Sequence, residues 1–126
     1  MIILAPISVG ELVDKITILL IKQERIVDTL KLLNIDREFV QLMELFSTLS
    51  DEHHVGIAGL FMQLKKINNE LWDIENYKRA CEQDQNFGDG FVNAARQVYL
   101  KNDERARVKR EINLLTGSSI VEEKSY

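Results

Sequence analysis

Apolar residues along this chain recur at spacings of three and four, and no stretch alternates with period two, so the elements they predict are helices. Pro6 and the glycines at 10, 56, 59, 88, 90 and 117 punctuate the pattern as an entry, two middle turns and an exit. The first helix is expected from Ser8, where Ser8 and Glu11 form an S-x-x-E capping box. One face of it carries Val9, Leu12, Ile16, Leu19, Leu20 and Val27, while Ile18 and Ile21 point the other way. From Ile16 to Ile21 the helix is apolar nearly all round, which predicts burial on two sides, as a central element or the seam of a dimer. A break is expected at Asp28-Thr29, with Asp28 able to cap a second helix.

Apolar positions at 32, 35, 39, 42, 46 and 49, then at 57, 60, 64, 67, 71 and 74, each step 3, 4, 3, 4, 3. Two such seams joined by Ser50 to Gly56 predict an antiparallel helical hairpin. The third helix begins anywhere from Asp51 to Ile57 and runs to about Glu82, carrying Phe61, Asn68 and Trp72 on a second side suited to the first helix. Asp84 to Gly90 reads as a loop, with Asp89 as a candidate cap for the fourth helix. That helix starts with an apolar stripe, Phe91, Ala95 and Val98, which turns polar at Asn102, Arg105/Ala106, Lys109 and Asn113. Either the helix breaks at Asn102-Asp103 or it continues and carries polar groups into a partly buried groove. Gly117 is its expected C-terminal stop, and residues 118–126 a short tail that docks through Ile120, Val121 and Tyr126. The predicted architecture is all-α, a hairpin or four-helix bundle-like arrangement, in one domain over residues 1–126.

Composition narrows the function classes. At 126 residues the chain buries enough surface for a core, about 7,000 Å² remaining exposed of roughly 21,000 Å². A net charge of −4 argues against a nucleic-acid coat. The absence of a basic leader or an 18-residue apolar run argues against a signal peptide or a membrane span. Cys81 is the only cysteine, which leaves no intrachain disulfide and favours a cytoplasmic setting; on the third-helix seam it reads as a small buried thiol. His53 and His54 are neighbours, cannot chelate as an i, i+4 pair, and read as loop surface.

Two E-x-x-D pairs, Glu11/Asp14 and Glu70/Asp73, have the spacing by which helical bundles hold Mg²⁺ or Mn²⁺. Asp14, Glu70 and Asp73 would be the ligands of a metal-dependent nucleotide or phosphate-ester hydrolase, the only reading in which a cofactor is expected. Glu11 doubles as a capping residue, however, and Glu70 and Asp73 lie off the seam. Residues 96–110 carry a local charge of +4 and residues 70–89 one of −4. The two surfaces either face each other or leave a basic strip for a small anion. No glycine-rich phosphate loop is present.

Four segments, residues 8–19 (SVGELVDKITIL), 69–75 (NELWDIE), 99–113 (YLKNDERARVKREIN) and 121–126 (VEEKSY), resemble a bacterial family of small all-helical proteins of unknown function. The resemblance covers nearly the whole chain and implies the fold but no activity, cofactor or substrate. Members often carry a proline shortly after the first helix, where this chain has Thr29-Leu30. The shared segments place polar residues in or beside apolar seams, and buried polar groups must be paired. Asp14 and Lys15 are therefore expected to meet Asn102, Asp103, Arg105 and Lys109, as a register-fixing network or as a small anion pocket. The leading functional expectation is a non-catalytic helical assembly or partner-binding module, most simply a homodimer; the hydrolase and a small-anion-binding protein are the alternatives.

Overall fold

The computed structural model describes all 126 residues, Met1–Tyr126. Its elements are four helices, α1 (Val9–Arg25), α2 (Thr29–Ser47), α3 (Asp51–Gln83) and α4 (Asp89–Thr116), with no strand. The caps explain most of these boundaries. Ser8 Oγ accepts from the Glu11 amide at 3.0 Å and starts α1, and extended backbone at Ile26 (ψ 133°) ends it. Asp28 accepts from the amides of Leu30 and Lys31, both at 3.0 Å, and starts α2. Ser50 accepts from the His53 amide at 3.1 Å, which sets α3 at the earliest of its expected starts. Asp89 is not a cap: Gly88 holds that position and Asp89 lies in the first turn, where its charge suits the positive end of the helix. α4 runs unbroken through Asn102 and Asp103, and Gly117, with φ of +66°, closes it by donating to the Asn113 carbonyl.

The core is built by three helices. Val13 of α1, Ile57, Leu64 and Ile67 of α3, and Val108 and Ile112 of α4 form one buried apolar cluster. The α3 seam thus buries as the heptad spacing requires, but its partners are α1 and α4. Helices α3 and α4 run antiparallel, with Lys101 paired to Glu70 at 2.6 Å. α2 lies along α1 instead. Of its seam only Ile35 is buried, with Leu32, Phe39, Leu42 and Phe46 half-buried. It meets α3 near their junction, where Phe46 stacks on His54 with centroids 4.7 Å apart. His54 is therefore no loop-surface residue: it stands in the first turn of α3 and bonds the Phe46 carbonyl at 2.8 Å.

α1 is covered as its apolar girth predicts, with Leu12, Ile16, Leu19 and Ile21 buried. Val27 falls beyond the end of the helix and is exposed. Cys81 is buried. The tail is held by charge more than by its apolar residues: Glu122 meets Lys109 at 3.1 Å and Glu123 meets Arg110 at 3.1 Å, while Tyr126 is 84% exposed. No helix is long and apolar enough to cross a membrane.

Candidate functional site

Asp14 lies two turns into α1, on the side that faces both α3 and α4, and its side chain is only 1% exposed. Three neighbours answer its carboxylate. Asn68 Nδ2 donates to Oδ1 at 2.9 Å, Arg105 Nε donates to the same oxygen at 2.9 Å, and Arg105 Nη2 donates to Oδ2. The Arg105 pair is bidentate, the geometry in which a guanidinium binds a carboxylate most strongly. Lys109 Nζ stands 4.0 Å from Oδ2. Asn68 also donates to Thr17 Oγ1 at 2.9 Å, and Thr17 donates to the Asp14 carbonyl at 2.7 Å, so the acid is clamped from its own helix as well.

One turn further along α4, Lys109 donates to Glu11 at 2.6 Å and to Glu122 at 3.1 Å. Glu11 thereby turns away from Ser8, and only the Ser8 half of the expected capping box forms. An ammonium attracts a carboxylate more strongly than a neutral amide does. Both cations hold their protons more tightly than usual. For Arg105 the hydrogen bonds to Asp14 are the main cause, opposed by burial and helped by the charges of Asp14, Glu11 and Glu122. For Lys109 burial pulls down, and the bonds to Glu11 and Glu122 with the Asp14 charge outweigh it. At the end of the row Asn113 Oδ1 accepts from the Gly10 amide at 2.6 Å. The helices approach so closely there that a Cβ on Gly10 would collide with the Lys109 carbonyl oxygen.

Of the six residues expected to form this cluster, Asp14, Arg105 and Lys109 converge. Asn102 joins from the rim, accepting from Arg105 Nη1 at 3.3 Å. Lys15 and Asp103 do not belong to it. Lys15 is exposed and pairs only with Glu11, at 3.8 Å, and Asp103 is exposed. Neighbours on a helix point about 100° apart, so when Asp14 turns inward Lys15 faces solvent; Asp103, two residues before Arg105, lies about 200° round from it and faces solvent as well. Asn68, Thr17 and Asn113 belong to the network and lay outside the expected set. The signal for Asn68 was its place beside Trp72 on the α1-facing side of α3; that for Asn113 was its position in the polar stripe.

Asp14, Glu70 and Asp73 do not converge either. Asp14 is taken by Arg105, Glu70 by Lys101 at 2.6 Å and Asp73 by Arg25 at 2.7 Å. No three acidic, histidine or cysteine side chains gather anywhere in a way that fits a metal ion.

One cleft borders the network and a second lies apart from it. The first, of about 340 Å³, opens between α1 and α3 and reaches Arg105; Ile18, Trp72, Asn76 and Arg79 line it with Asn68. The second, of about 500 Å³, lies among α1, α2 and α3 and is almost wholly apolar, with Leu20, Phe39, Met43, Phe46, Phe61 and Met62 in its walls.

The model of one family matches residues 3–126, nearly the full chain. The chain belongs to DUF6165, a family of unknown function. Membership brings the DUF6165 chain no activity and no substrate. No curated protein and no solved structure matches it. The function of this DUF6165 chain has to be argued from its own surfaces.

Proposed function

We propose that this chain is a non-catalytic helical assembly module, and that the face formed by α2 and the apolar cleft beside it docks on a second copy of the chain. The observation that carries this reading is α2 itself. Only Ile35 of its seam is fully buried, the rest of the seam is half-buried, and four further apolar residues stand outside the seam without a partner. Leu30, Leu33, Val40 and Leu45 are all at least half exposed on it.

A standard protein interface buries about 800 Å² on each partner. A second copy brings the same unpartnered helix, and a two-fold contact lets each α2 cover the other. The lone, buried Cys81 needs no oxidising compartment, in keeping with a cytoplasmic setting. The ionic network supports a structural role for the polar residues, because its acids are all answered by cations.

Light scattering on a sizing column tests the proposal. The chain is expected to elute at twice 14.6 kDa at micromolar concentration. Val40→Lys and Met62→Lys change exposed residues of this face, and each should return the single-chain mass with helicity unchanged. A wild-type chain that runs as a monomer at those concentrations, or a dimer that both variants leave intact, overturns the reading.

A further inference from the structure

The smaller cleft, between α1 and α3, differs in kind from the apolar one. Arg105, the basic half of the buried ion pair, lines it. Arg105 has five N–H groups; two go to Asp14 and one to Asn102, which leaves one on each of its terminal nitrogens. Asn68, 6% exposed, spends both of its amide hydrogens on Asp14 and Thr17 and keeps its oxygen free. Arg79, exposed and paired with no carboxylate, lines the cleft too, as does Glu75, which Lys78 meets from outside the cleft at 3.6 Å. The lining thus carries two guanidiniums, of Arg79 and Arg105, against one carboxylate. Between and beside these polar groups the lining is apolar: Ile18, Leu71 and Trp72.

A concave site with a few fixed polar groups set among apolar and aromatic side chains is the usual form of a small-molecule pocket, and about 340 Å³ is at the small end of that range. We propose that this cleft binds a small organic anion, a carboxylate or phosphate monoester on a flat apolar body. The anionic head meets the free N–H groups of Arg105 and the guanidinium of Arg79, and the body lies against Trp72 and Ile18. Arg105 is already held in place by Asp14, so binding need not freeze a floppy side chain, which is where much affinity for charged ligands is otherwise lost. The site is separate from the apolar docking face and stands or falls independently of it.

Trp72 is the only tryptophan in the chain, so its emission reports on the surroundings of one indole, which lines this cleft and has the Arg25 guanidinium 5.8 Å from its ring. The test is a fluorescence titration of the full chain with benzoate and with phenyl phosphate, using benzyl alcohol as the neutral control and inorganic phosphate as the bare anion. Saturable change with at least one of the two aromatic anions is expected, with benzyl alcohol and inorganic phosphate at least about tenfold weaker. Arg79 is exposed and outside the buried network, so Arg79→Gln should keep the fold and weaken binding about tenfold. Arg105→Gln, if it folds, should abolish it. No saturable change with either aromatic anion overturns the proposal. So does equal binding of benzyl alcohol, or an affinity that Arg79→Gln leaves unmoved.

Discussion

Removing the Asp14 carboxylate would strand the Arg105 guanidinium in a site shaped for a pair. Breaking one partner out of a buried ion pair costs about 3–5 kcal/mol, far more than the pair itself adds over an apolar replacement. Asp14→Ala is therefore expected to lose at least about 3 kcal/mol in urea unfolding, a fall in Tm on the order of 10 °C. An unmoved midpoint would mean that the network is ornament. Lys109 gives the matching expectation for pH. Its folded pKa lies above the ordinary 10.5 because Glu11, Glu122 and Asp14 outweigh its burial. A raised pKa adds stability that is fully present below 10.5 and fades as pH climbs through the folded value. The stability gap between wild type and Lys109→Met should thus be flat from neutral pH to about 10 and close at higher pH. Arg105 stays charged throughout that window, its hydrogen bonds to Asp14 raising a pKa that is already the highest of any side chain. At this scale the sequence was half legible. A polar stripe in an apolar seam showed that α4 carries buried charge, and an acid in the all-apolar α1 showed where it would pair. It could not show which of two adjacent charged residues turns inward, because that depends on the rotation of the helix against its neighbours.

Elements differ in how much their glycines matter, and two in this chain have opposite expected signs. Gly10 touches the backbone of α4 at Lys109 and takes the Asn113 side chain on its amide. A methyl there has to push the helices apart, so Gly10→Ala should destabilise by about 1–3 kcal/mol. Gly59 has nothing within 4 Å of where its Cβ would stand. In a helix interior Gly59→Ala should then stabilise by about 0.5–1 kcal/mol, since glycine costs that much relative to alanine. Thermal melts of both variants check the pair, and like signs would contradict the packing described. The caps at Ser8, Asp28 and Ser50 were legible because each is a local chemical event within four residues. The pairing of α2 was not. Two matching heptad seams say that both helices bury a face; they do not say against what, and the core cluster on α1 and α4 took the α3 seam.

For the whole molecule, the uneven burial sets an order of local stability. α1, α3 and α4 share the core, and α2 contributes a single buried residue. Regions with few buried apolar contacts open first in hydrogen exchange. Amides of α2 should therefore exchange fastest among the helices in dilute protein, and slow with rising concentration if the second copy covers them. Protection of α2 that equals that of α3 at all concentrations would contradict the order. The all-α class was the most legible feature of all, because it follows from period alone and asks nothing about tertiary contacts.

Asn113 joins the two ends of the helical array. Its side chain holds the Gly10 amide, its carbonyl takes the amides of Gly117 and Ser118, and Ser118 in turn accepts from Val9 at 3.3 Å. The start of the first helix and the finish of the last are thereby buttoned together, and the bundle is topologically a closed hoop. Such a hoop has no privileged opening. Stitching residues 118–126 to residues 1–8 and cutting instead between Gln85 and Gly88 would leave every helix, and the buried charge between them, where it now stands.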